Sequence, residues 1–370
     1  MQKKIIALAI TAALTVPALA FAEANVYGQF NLAIDMAKDG NASSTSANQM
    51  NSYGSRVGVK GKDSLDGGMS LDYQLEGGVP ADSGGGFAFD RESNLGLTFG
   101  EMGTVRLGLQ ASPYKAVSRK LDVFGDTIAD TRNTSIVGTD PAAGTNNGAR
   151  TLGGGHDSSA PNAISYKSPS MGGFTVVVAT MFGAETLPQP AAPNDKKGTA
   201  MGLAAMYDNS GIFAAVAIDN AKFGDAGTGA LGGTVDNEDN ALKLGGGFSM
   251  DAFTINAAVD TITQKTAAAP SSEAKNTNLY LGAKFNIGSS DAVKVAITKI
   301  GATKRTGGAV GFAGTAKDGA TQIAAGYDHS MSKNTSVYAL YTKVSQEDPA
   351  APAAQNPDPS VISFGLKHAF

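Results

Sequence analysis

Three consecutive residues, His156-Asp157-Ser158, carry the side-chain types of a hydrolase triad. The members of a triad converge from separate elements to reach hydrogen-bonding geometry, so three neighbours in one loop do not make an active site. The whole chain has 3 histidines and no cysteine, which gives no cluster with the spacing of transition-metal ligands. We therefore expect no enzymatic activity, no metal and no cofactor.

Two further motifs imitate ligand-binding loops. Gly61-Lys62-Asp63 lacks both the Ser or Thr after the lysine and a glycine five residues before Gly61, so it is not a phosphate-binding loop. Residues 236–240 offer carboxylates and amides like those of a calcium loop, but Ala241 stands where the sharp turn requires glycine. A weak calcium site at this position remains an alternative.

The elements that must position any functional side chain are strands, as the C-terminal segment 361–370 indicates. Alternate residues form an apolar or aromatic face consisting of Ile362, Phe364, Leu366, His368 and Phe370. The opposite face consists of Ser363, Gly365, Lys367 and Ala369. A strand of this kind suits a wall with hydrocarbon on one side and water on the other, which is the repeat of a transmembrane β-barrel.

The N-terminus indicates export. Residues 1–22 contain Lys3 and Lys4, then an apolar run, then the small-x-small end Ala20-Phe21-Ala22. This pattern predicts a secretory signal peptide cut after Ala22, with the mature chain at 23–370. A retained membrane anchor is the weaker alternative, because the apolar run is shorter than the ~20 residues that a spanning helix needs.

Composition agrees with an exported barrel. An exported chain of 370 residues without cysteine cannot use disulfides, and its 47 glycines suit the bends and close backbone contacts of a barrel wall. Without Lys3 and Lys4, the mature chain has 27 basic and 33 acidic residues, a net charge of −6. A net negative chain is not a nucleic-acid binder, so we expect no nucleic-acid partner.

Period-two alternation recurs along the whole chain and predicts 16 strands of an all-β antiparallel barrel. The predicted strands are 26–36, 53–60, 69–78, 89–99, 104–110, 162–167, 173–182, 200–207, 212–219, 241–250, 253–262, 278–287, 292–299, 321–329, 335–344 and 360–370. Short polar turns and longer Gly/Ser/Ala/Asn-rich loops alternate between them, which is the asymmetry of an outer-membrane barrel.

One connection is much longer than the others. Residues 111–161 begin with aromatic and charged positions around Tyr114 and Phe124, then become rich in Gly, Ala and Asn. Loops beyond ~15 residues are usually functional or disordered. We predict that this loop folds into the barrel lumen, with a long, partly disordered external loop as the alternative.

These residues resemble the Gram-negative general porin family. The resemblance is carried by Ser55-Arg56-Val57-Gly58-Val59-Lys60-Gly61, Gln74-Leu75-Glu76, Arg91, Asn94-Leu95-Gly96-Leu97, Phe99-Gly100, Gly103-Thr104-Val105-Arg106-Leu107-Gly108, Asn162-Ala163-Ile164-Ser165-Tyr166-Lys167-Ser168-Pro169, Gly172-Gly173-Phe174 and the aromatic C-terminus. It implies a 16-stranded outer-membrane barrel, a homotrimer with three pores, and a third loop folded inward as the constriction. The function so implied is passive diffusion of ions and small hydrophilic solutes.

The resemblance also implies residue roles. Arg56 and Arg91 match two family positions where wall arginines face acids of the third loop. Arg91 shares simple parity with Leu95 and Leu97, so facing the lumen requires a bulge or a position beyond the regular ladder. A third family arginine is expected before Asn162, where this chain has Ser158-Ser159-Ala160-Pro161. This difference weakens the case for strong anion preference.

The predicted pore constriction consists of Arg56, Lys60, Arg91, Arg106, Asp122, Asp126 and Asp130. Cations on the wall facing acids on the loop set up a transverse field, which ions and polar solutes cross more readily than apolar ones. The alternative is that these arginines are ordinary solvated lumen residues.

The expected partners are outer-membrane lipid, further copies of the chain in a homotrimer, and the barrel-assembly machinery. In the porin family that machinery reads the terminal aromatic, here Phe370. Two alternatives stand beside general diffusion: a solute-specific channel, and a barrel adhesin or enzyme.

Overall fold

The computed structural model describes residues 24–38, 46–132, 156–182, 198–223, 236–267, 271–307, 314–315, 319–346 and 358–370. The predicted signal peptide lies outside these ranges, as do residues 133–155 of the long loop. Within the described ranges, no helix is long and apolar enough to span a membrane.

The described residues form strand segments that all belong to one sheet. In chain order they are β1 (Asn25–Lys38), β2 (Ser46–Ser52), β3 (Arg56–Ser64), β4 (Met69–Gly78), β5 (Ser93–Phe99), β6 (Thr104–Ala111), β7 (Ser159–Lys167), β8 (Phe174–Phe182), β9 (Thr199–Asn209), β10 (Ile212–Lys222), β11 (Glu238–Ser249), β12 (Phe253–Thr266), β13 (Ser272–Ile287), β14 (Asp291–Ile300), β15 (Lys304–Gly307), β16 (Gly314–Thr315), β17 (Ala320–Ser330), β18 (Thr335–Gln346) and β19 (Ser360–Ala369).

The sheet closes into a barrel because β1 pairs with β19 on one side and with β2 and β3 on the other. Every described pairing is antiparallel, and closure leaves the wall without an exposed edge. The segments make 16 wall strands, because β2 and β3 are halves of one strand, β15 continues β14, and β16 precedes β17. The predicted barrel is confirmed.

Side chains alternate between the two faces as predicted. In β1, Val26, Phe30 and Ile34 are 43 to 51% exposed on the outside, whereas Asn31 and Asp35 are at most 2% exposed on the inside. An apolar exterior and a polar interior are stable only when lipid covers the first and water or polar protein fills the second.

Two of the predicted strand boundaries are wrong, and the structure shows why. The second wall strand begins at Ser46 and is interrupted at residues 53–55, where Gly54 adopts a positive φ of 66°. The fourth begins at Ser93 rather than at 89, because Asp90 accepts a hydrogen bond from the Gly78 amide (2.9 Å) within the preceding loop.

The short connections lie on alternate links, as predicted. Ser210 and Gly211 join β9 to β10 with positive φ angles of 51° and 80°, the conformation of a two-residue hairpin turn whose twist matches the strands. Short turns also join β3 to β4 and β5 to β6. One rim therefore carries tight turns, and the long loop leaves from the other.

Helix α1 (Pro113–Leu121) opens the long loop. Ser112 caps it by accepting a hydrogen bond from the Lys115 amide (3.0 Å), and proline at the first helical position needs no hydrogen bond there. Tyr114, Val117 and Leu121 recur at the spacing of one helix face and are buried.

The buried face of α1 lies against the inside of the wall at β9 to β12. Alanines line the wall there, at positions 204, 217, 241 and 258. A Cβ atom added at Gly202 would come within 2.9 Å of Pro113, and one at Gly245 would overlap the Leu121 side chain. Small wall residues thus make the room that the helix occupies, and the inward position of this described part of the loop follows from them.

Candidate functional site

The loop crosses from the α1 side of the lumen to the opposite wall. Phe124 is fully buried beneath the Lys294 ammonium group, which lies 5.0 Å from its ring centroid, and a Cβ atom at Gly326 would come within 2.9 Å of Phe124. Burying an aromatic ring of this kind contributes on the order of 2 kcal/mol. The loop is therefore anchored on β14 and β17 as well as on β9 to β12.

The loop tip lies in the interruption of the second wall strand. Asp126 has a positive φ of 58°, and its carbonyl accepts a hydrogen bond from Asn31 Nδ2 (2.6 Å). Gln29 Nε2 donates both to Asp126 Oδ2 (3.2 Å) and to the Gly54 carbonyl (3.0 Å). The absence of a side chain at Gly54 is required here, because a Cβ atom would lie 2.7 Å from Asp126 Oδ1.

Arg56 begins β3, directly after this interruption, and faces the tip. Its Nη1 lies 3.0 Å from Asp126 Oδ2, and its Nε lies 3.7 Å from Glu76 Oε2. Burial would raise the pKa of Asp126, but the charge and hydrogen bond of Arg56, together with the charge of Arg119, lower that pKa to about 2. Asp126 is therefore ionised throughout the physiological range.

Arg91 lies outside the ladder of β5, two residues before the strand begins. Its Nε is 2.6 Å from Glu76 Oε1, and its amide donates to the Glu76 carbonyl (3.2 Å). Glu76 also accepts from Tyr27 Oη (2.9 Å). One wall carboxylate therefore lies between Arg56 and Arg91 and holds both.

Asp130 does not face the wall arginines. Its carboxylate contacts Arg132 of the same loop, with Nη2 at 2.5 Å, and Arg119 of α1, with Nη1 at 3.7 Å. Both arginines also lie 3.4 Å from Asp126 Oδ1. The loop thus supplies its own counter-charges for its acids.

Asp122 organises the loop from within. Its carboxylate accepts hydrogen bonds from the amides of Phe124 (2.8 Å) and Thr131 (2.9 Å). Burial and the nearby Asp130 charge raise its pKa to about 7 despite those bonds. Among the described residues, Asp122 contacts other residues of the loop and the Tyr280 hydroxyl of the wall (3.4 Å), and it pairs with neither Arg56 nor Arg91.

Lys60 and Arg106 lie apart from the loop. Arg106 pairs with Asp72 of β4 (2.6 Å), and the Lys60 ammonium lies 4.7 Å from the Tyr27 ring centroid. Both line a separate luminal pocket of about 530 Å³. The structure therefore divides the seven predicted charges into a group at the loop tip, a buried loop acid and a pair on the wall.

The sequence analysis missed several charged residues of this site. Glu76 has the same parity as the other luminal residues of β4, and this could have identified it. Arg119 and Arg132 could not be placed from the sequence, because their positions depend on how the loop folds. The same holds for Lys243, which is fully buried 3.8 Å from Asp260 with its ammonium 4.1 Å from the Tyr114 ring centroid.

His156 fastens the returning end of the loop. Its Nδ1 lies 3.1 Å from Asp219 and its Nε2 lies 3.0 Å from Asp239, on β10 and β11. Burial would lower the pKa of His156, but the two neighbouring carboxylates raise it to about 9. Nδ1 hydrogen bonds to Asp219 and Nε2 faces Asp239, so each ring nitrogen lies against an aspartate and not against a serine.

No group of His, Cys, Asp and Glu within the described ranges has the arrangement of a metal site. The sequence places the calcium alternative at residues 236–240. The carboxylate of Asp236 in this segment pairs with the Lys222 ammonium group at 3.2 Å.

A closed barrel with an apolar exterior, a charged lumen and an inserted loop defines the class of transmembrane channel through which water-soluble solutes diffuse. A model of the Gram-negative porin family matches residues 7–349, and the chain belongs to that family.

Curated relatives agree with this assignment. The chain is 26% identical over 333 residues to outer membrane porin protein 32 of Delftia acidovorans, which covers 85% of this chain and 84% of the relative. It is also 26% identical over 357 residues to the major outer membrane protein P.IB of Neisseria lactamica, covering 91% of each. The protein is thus an outer-membrane porin that forms a passive diffusion channel.

Solved structures share the fold. An anion-selective porin from Comamonas acidovorans superposes with a TM-score of 0.70 at 21% identity, covering 95% of this chain and all of that one. OmpF of Salmonella typhi superposes with a TM-score of 0.62 at 14% identity, covering 94% and 98% of the two chains.

Proposed function

We propose that residues 111–161 form the constriction of this porin and that the charges around the loop tip make the channel prefer anions. The observation that carries the proposal is the surplus of arginines there. Four arginines, Arg56, Arg91, Arg119 and Arg132, lie among three acids, Asp126, Asp130 and Glu76, and each acid contacts at least two of the arginines.

Lysines add to this surplus. Lys115 of α1 donates to Ser159 Oγ (2.8 Å), and Lys367 projects from the luminal face of β19. Neither has a carboxylate within 4.0 Å among the described residues. Lys115 also lies at the β7 end where the sequence lacks the third family arginine. Lys115 therefore places a positive charge close to the position where the family arginine is missing. This charge supports a preference for anions.

Low-dielectric walls focus this field across the aqueous gap. An anion entering the gap meets arginine N–H donors on both the wall and the loop, whereas the carboxylates that a cation meets are already paired with arginines. Apolar solutes lose water without gaining hydrogen bonds and pass poorly. The porin from Comamonas acidovorans is described as anion-selective, and at 21% identity it supports the fold, not the preference.

The test is the zero-current potential across planar bilayers in a KCl gradient. Replacing Asp126 and Asp130 by Asn should increase chloride over potassium permeability several-fold in low salt. The matched control is Asp236→Asn with Glu273→Gln; Asp236 lies two residues before β11 and Glu273 lies at the start of β13, both outside the loop. An unchanged potential in the loop variant, or an equal change in the control, contradicts the constriction assignment.

We infer that the porin assembles as a homotrimer through the outer faces of β1, β2 and β19. These faces carry exposed apolar side chains, namely Val26, Phe30, Ile34, Met36, Met50, Ile362, Phe364 and Leu366. A structural neighbour, OmpT of Vibrio cholerae, is described in a trimer form at 11% identity. Light scattering of a gently extracted sample tests this, and a monomer would contradict it.

We infer further that Phe370 serves assembly. Its amide and carbonyl both pair with Gly28 (3.1 Å each), and its ring lies 5.9 Å from that of Phe30. The last residue thus completes the β1–β19 seam while its side chain stays on the lipid side. We expect no enzymatic activity, because both nitrogens of His156 face aspartates.

A further inference from the structure

The luminal pocket that Lys60 and Arg106 line lies on the wall between β3 and β6. Its lining consists of Asn25, Lys60, Gly61, Lys62, Asp72, Tyr73, Gln74, Glu92, Asn94 and Arg106, and its volume is about 530 Å³. Lys60 and Lys62 follow Arg56 on the same face of β3, so they lie ~13 and ~20 Å further along the strand. They therefore lie towards the short turn that joins β3 to β4, which in outer-membrane barrels is the periplasmic rim.

One wall of the pocket is a fixed guanidinium group. Arg106 Nη2 lies 2.6 Å from Asp72 Oδ2, and Nη1 lies 2.5 Å from Asn94 Oδ1. The side chain crosses directly over Gly96, where an added Cβ atom would approach Arg106 Nη2 to 2.8 Å and Asp72 Oδ1 to 2.5 Å. The glycine lets Arg106 lie flat on the sheet in a fixed orientation before any ligand arrives.

The opposite side of the pocket carries two ammonium groups without acidic partners. Lys60 lies over the Tyr27 ring, whose face attracts a cation without neutralising it. Within the described ranges, neither Lys60 nor Lys62 has a carboxylate within 4.0 Å. Both side chains are exposed to the lumen.

The two acids that line the pocket are already engaged. Asp72 pairs with Arg106, and Glu92 Oε2 accepts a hydrogen bond from the Ala111 amide (3.0 Å). Gln74 and Asn94 contribute amide groups to the floor. Because Asp72 offsets the charge of Arg106, the positive charge left for a ligand is that of Lys60 and Lys62, and these two ammonium groups favour a ligand with two negative charges.

We propose that this pocket is a binding site for small organic or inorganic dianions, such as a short dicarboxylate or a phosphate group, on the periplasmic side of the constriction. Its volume of about 530 Å³ lies within the range of small-molecule sites. The proposal depends on the proposed function only in requiring that anions enter the lumen.

The experiment measures chloride conductance of single channels while succinate is added on the side of the short turns. Inorganic phosphate in a second arm distinguishes the two sources of dianion, and acetate is the singly charged control. For the parent channel we expect a saturable decrease in conductance with succinate or phosphate and none with acetate. In the Lys60→Gln/Lys62→Gln variant, the half-blocking concentration should rise about five- to tenfold, as expected for losing two partly exposed ion pairs.

The matched control is Lys284→Gln, compared with Lys62→Gln alone. Lys284 lies on the luminal face of β13, near the end that leads into the short turn to β14, but outside the pocket. The control should leave the half-blocking concentration within about twofold of the parent. Conductance in KCl alone verifies that each variant forms open channels.

A parent channel without saturable block overturns the proposal, and so does a block that Lys284→Gln weakens as much as Lys62→Gln. These outcomes are independent of the zero-current potential. A cation-preferring channel whose block depends on Lys60 and Lys62 would refute the proposed anion preference while supporting the pocket.

Discussion

Replacing Arg56 and Arg91 by serine should shift the channel strongly towards cations. The two arginines hold Asp126 and Glu76 at 3.0 and 2.6 Å, so their removal leaves Glu76 without a described arginine partner and Asp126 with only the two loop arginines at 3.4 Å. The balance of charge around the loop tip then becomes negative.

The size of the effect follows from Coulomb's law. A unit charge ~5 Å from a passing ion contributes roughly 1 to 3 kcal/mol when the effective dielectric constant lies between those of water and a protein surface. Screening reduces this contribution, because the Debye length is about 10 Å at 0.1 M salt and about 3 Å at 1 M. We expect potassium over chloride permeability to rise several-fold in low salt and the change to shrink towards 1 M.

The assay is the zero-current potential in a KCl gradient, measured for three proteins. Arg56→Lys/Arg91→Lys keeps the charges and should stay close to the parent. Lys222→Ser/Lys265→Ser removes two cations that are 55 and 50% exposed at strand ends, and it should have a much smaller effect. If the double serine variant keeps the parent potential in low salt, the assignment of Arg56 and Arg91 to the constriction is refuted, whereas the barrel fold is not affected by that result.

Three further predictions concern the loop and the seam. Gly54→Ala should displace the loop tip and change single-channel conductance. The control Gly67→Ala should not, because Gly67 has a similar φ of 71° but no atom within 4 Å of the added Cβ. Equal effects of the two variants would mean that backbone strain alone causes the change. Because the pKa of His156 is raised to about 9, its stabilisation of the loop is fully present below ~6.5 and is lost as pH rises through about 9. Limited proteolysis should therefore accelerate above pH 9 in the parent but show less pH dependence in His156→Gln, and matching profiles would rule out this role. Deleting Phe370 should lower the outer-membrane yield, measured by fractionation, without changing the conductance of inserted channels; a normal yield would count against its role in assembly.

The barrel could be predicted from the sequence because the alternation of apolar and polar residues that produces it is local and recurs from strand to strand. Alternation in segments such as 361–370 is dictated by lipid on one side and water on the other, and the pleat converts it into two faces. The interruption at 53–55 could not be predicted, because it depends on the distant Asp126, which makes a glycine at 54 necessary. Tertiary contact there overrides the strand pattern of the sequence.

The charged site was only partly predictable for the same reason. Parity places Arg56 in the lumen, and its distance from Asp126 then depends on where the loop tip lies. Asp122 resembles Asp126 in the sequence, yet it is buried by the amides of Phe124 and Thr131. Which loop acids face the wall is determined by the fold of the loop, a long connection without periodicity to read.

The outer face proposed for the trimer contact carries aromatic as well as aliphatic side chains. Phe30 and Phe364 are 43 and 51% exposed on β1 and β19, beside Ile34 and Leu366. Because β1 and β19 are paired, these rings lie in one apolar band. The proposed trimer contact on this face has to accommodate aromatic side chains.

The most direct test of the anion-preferring constriction is the zero-current potential of the unmodified porin across a tenfold KCl gradient at low salt. The surplus of arginines around Asp126 and Glu76 predicts a potential displaced towards the chloride equilibrium potential, with the displacement decreasing as salt is raised. A potential displaced towards that of potassium would contradict the account.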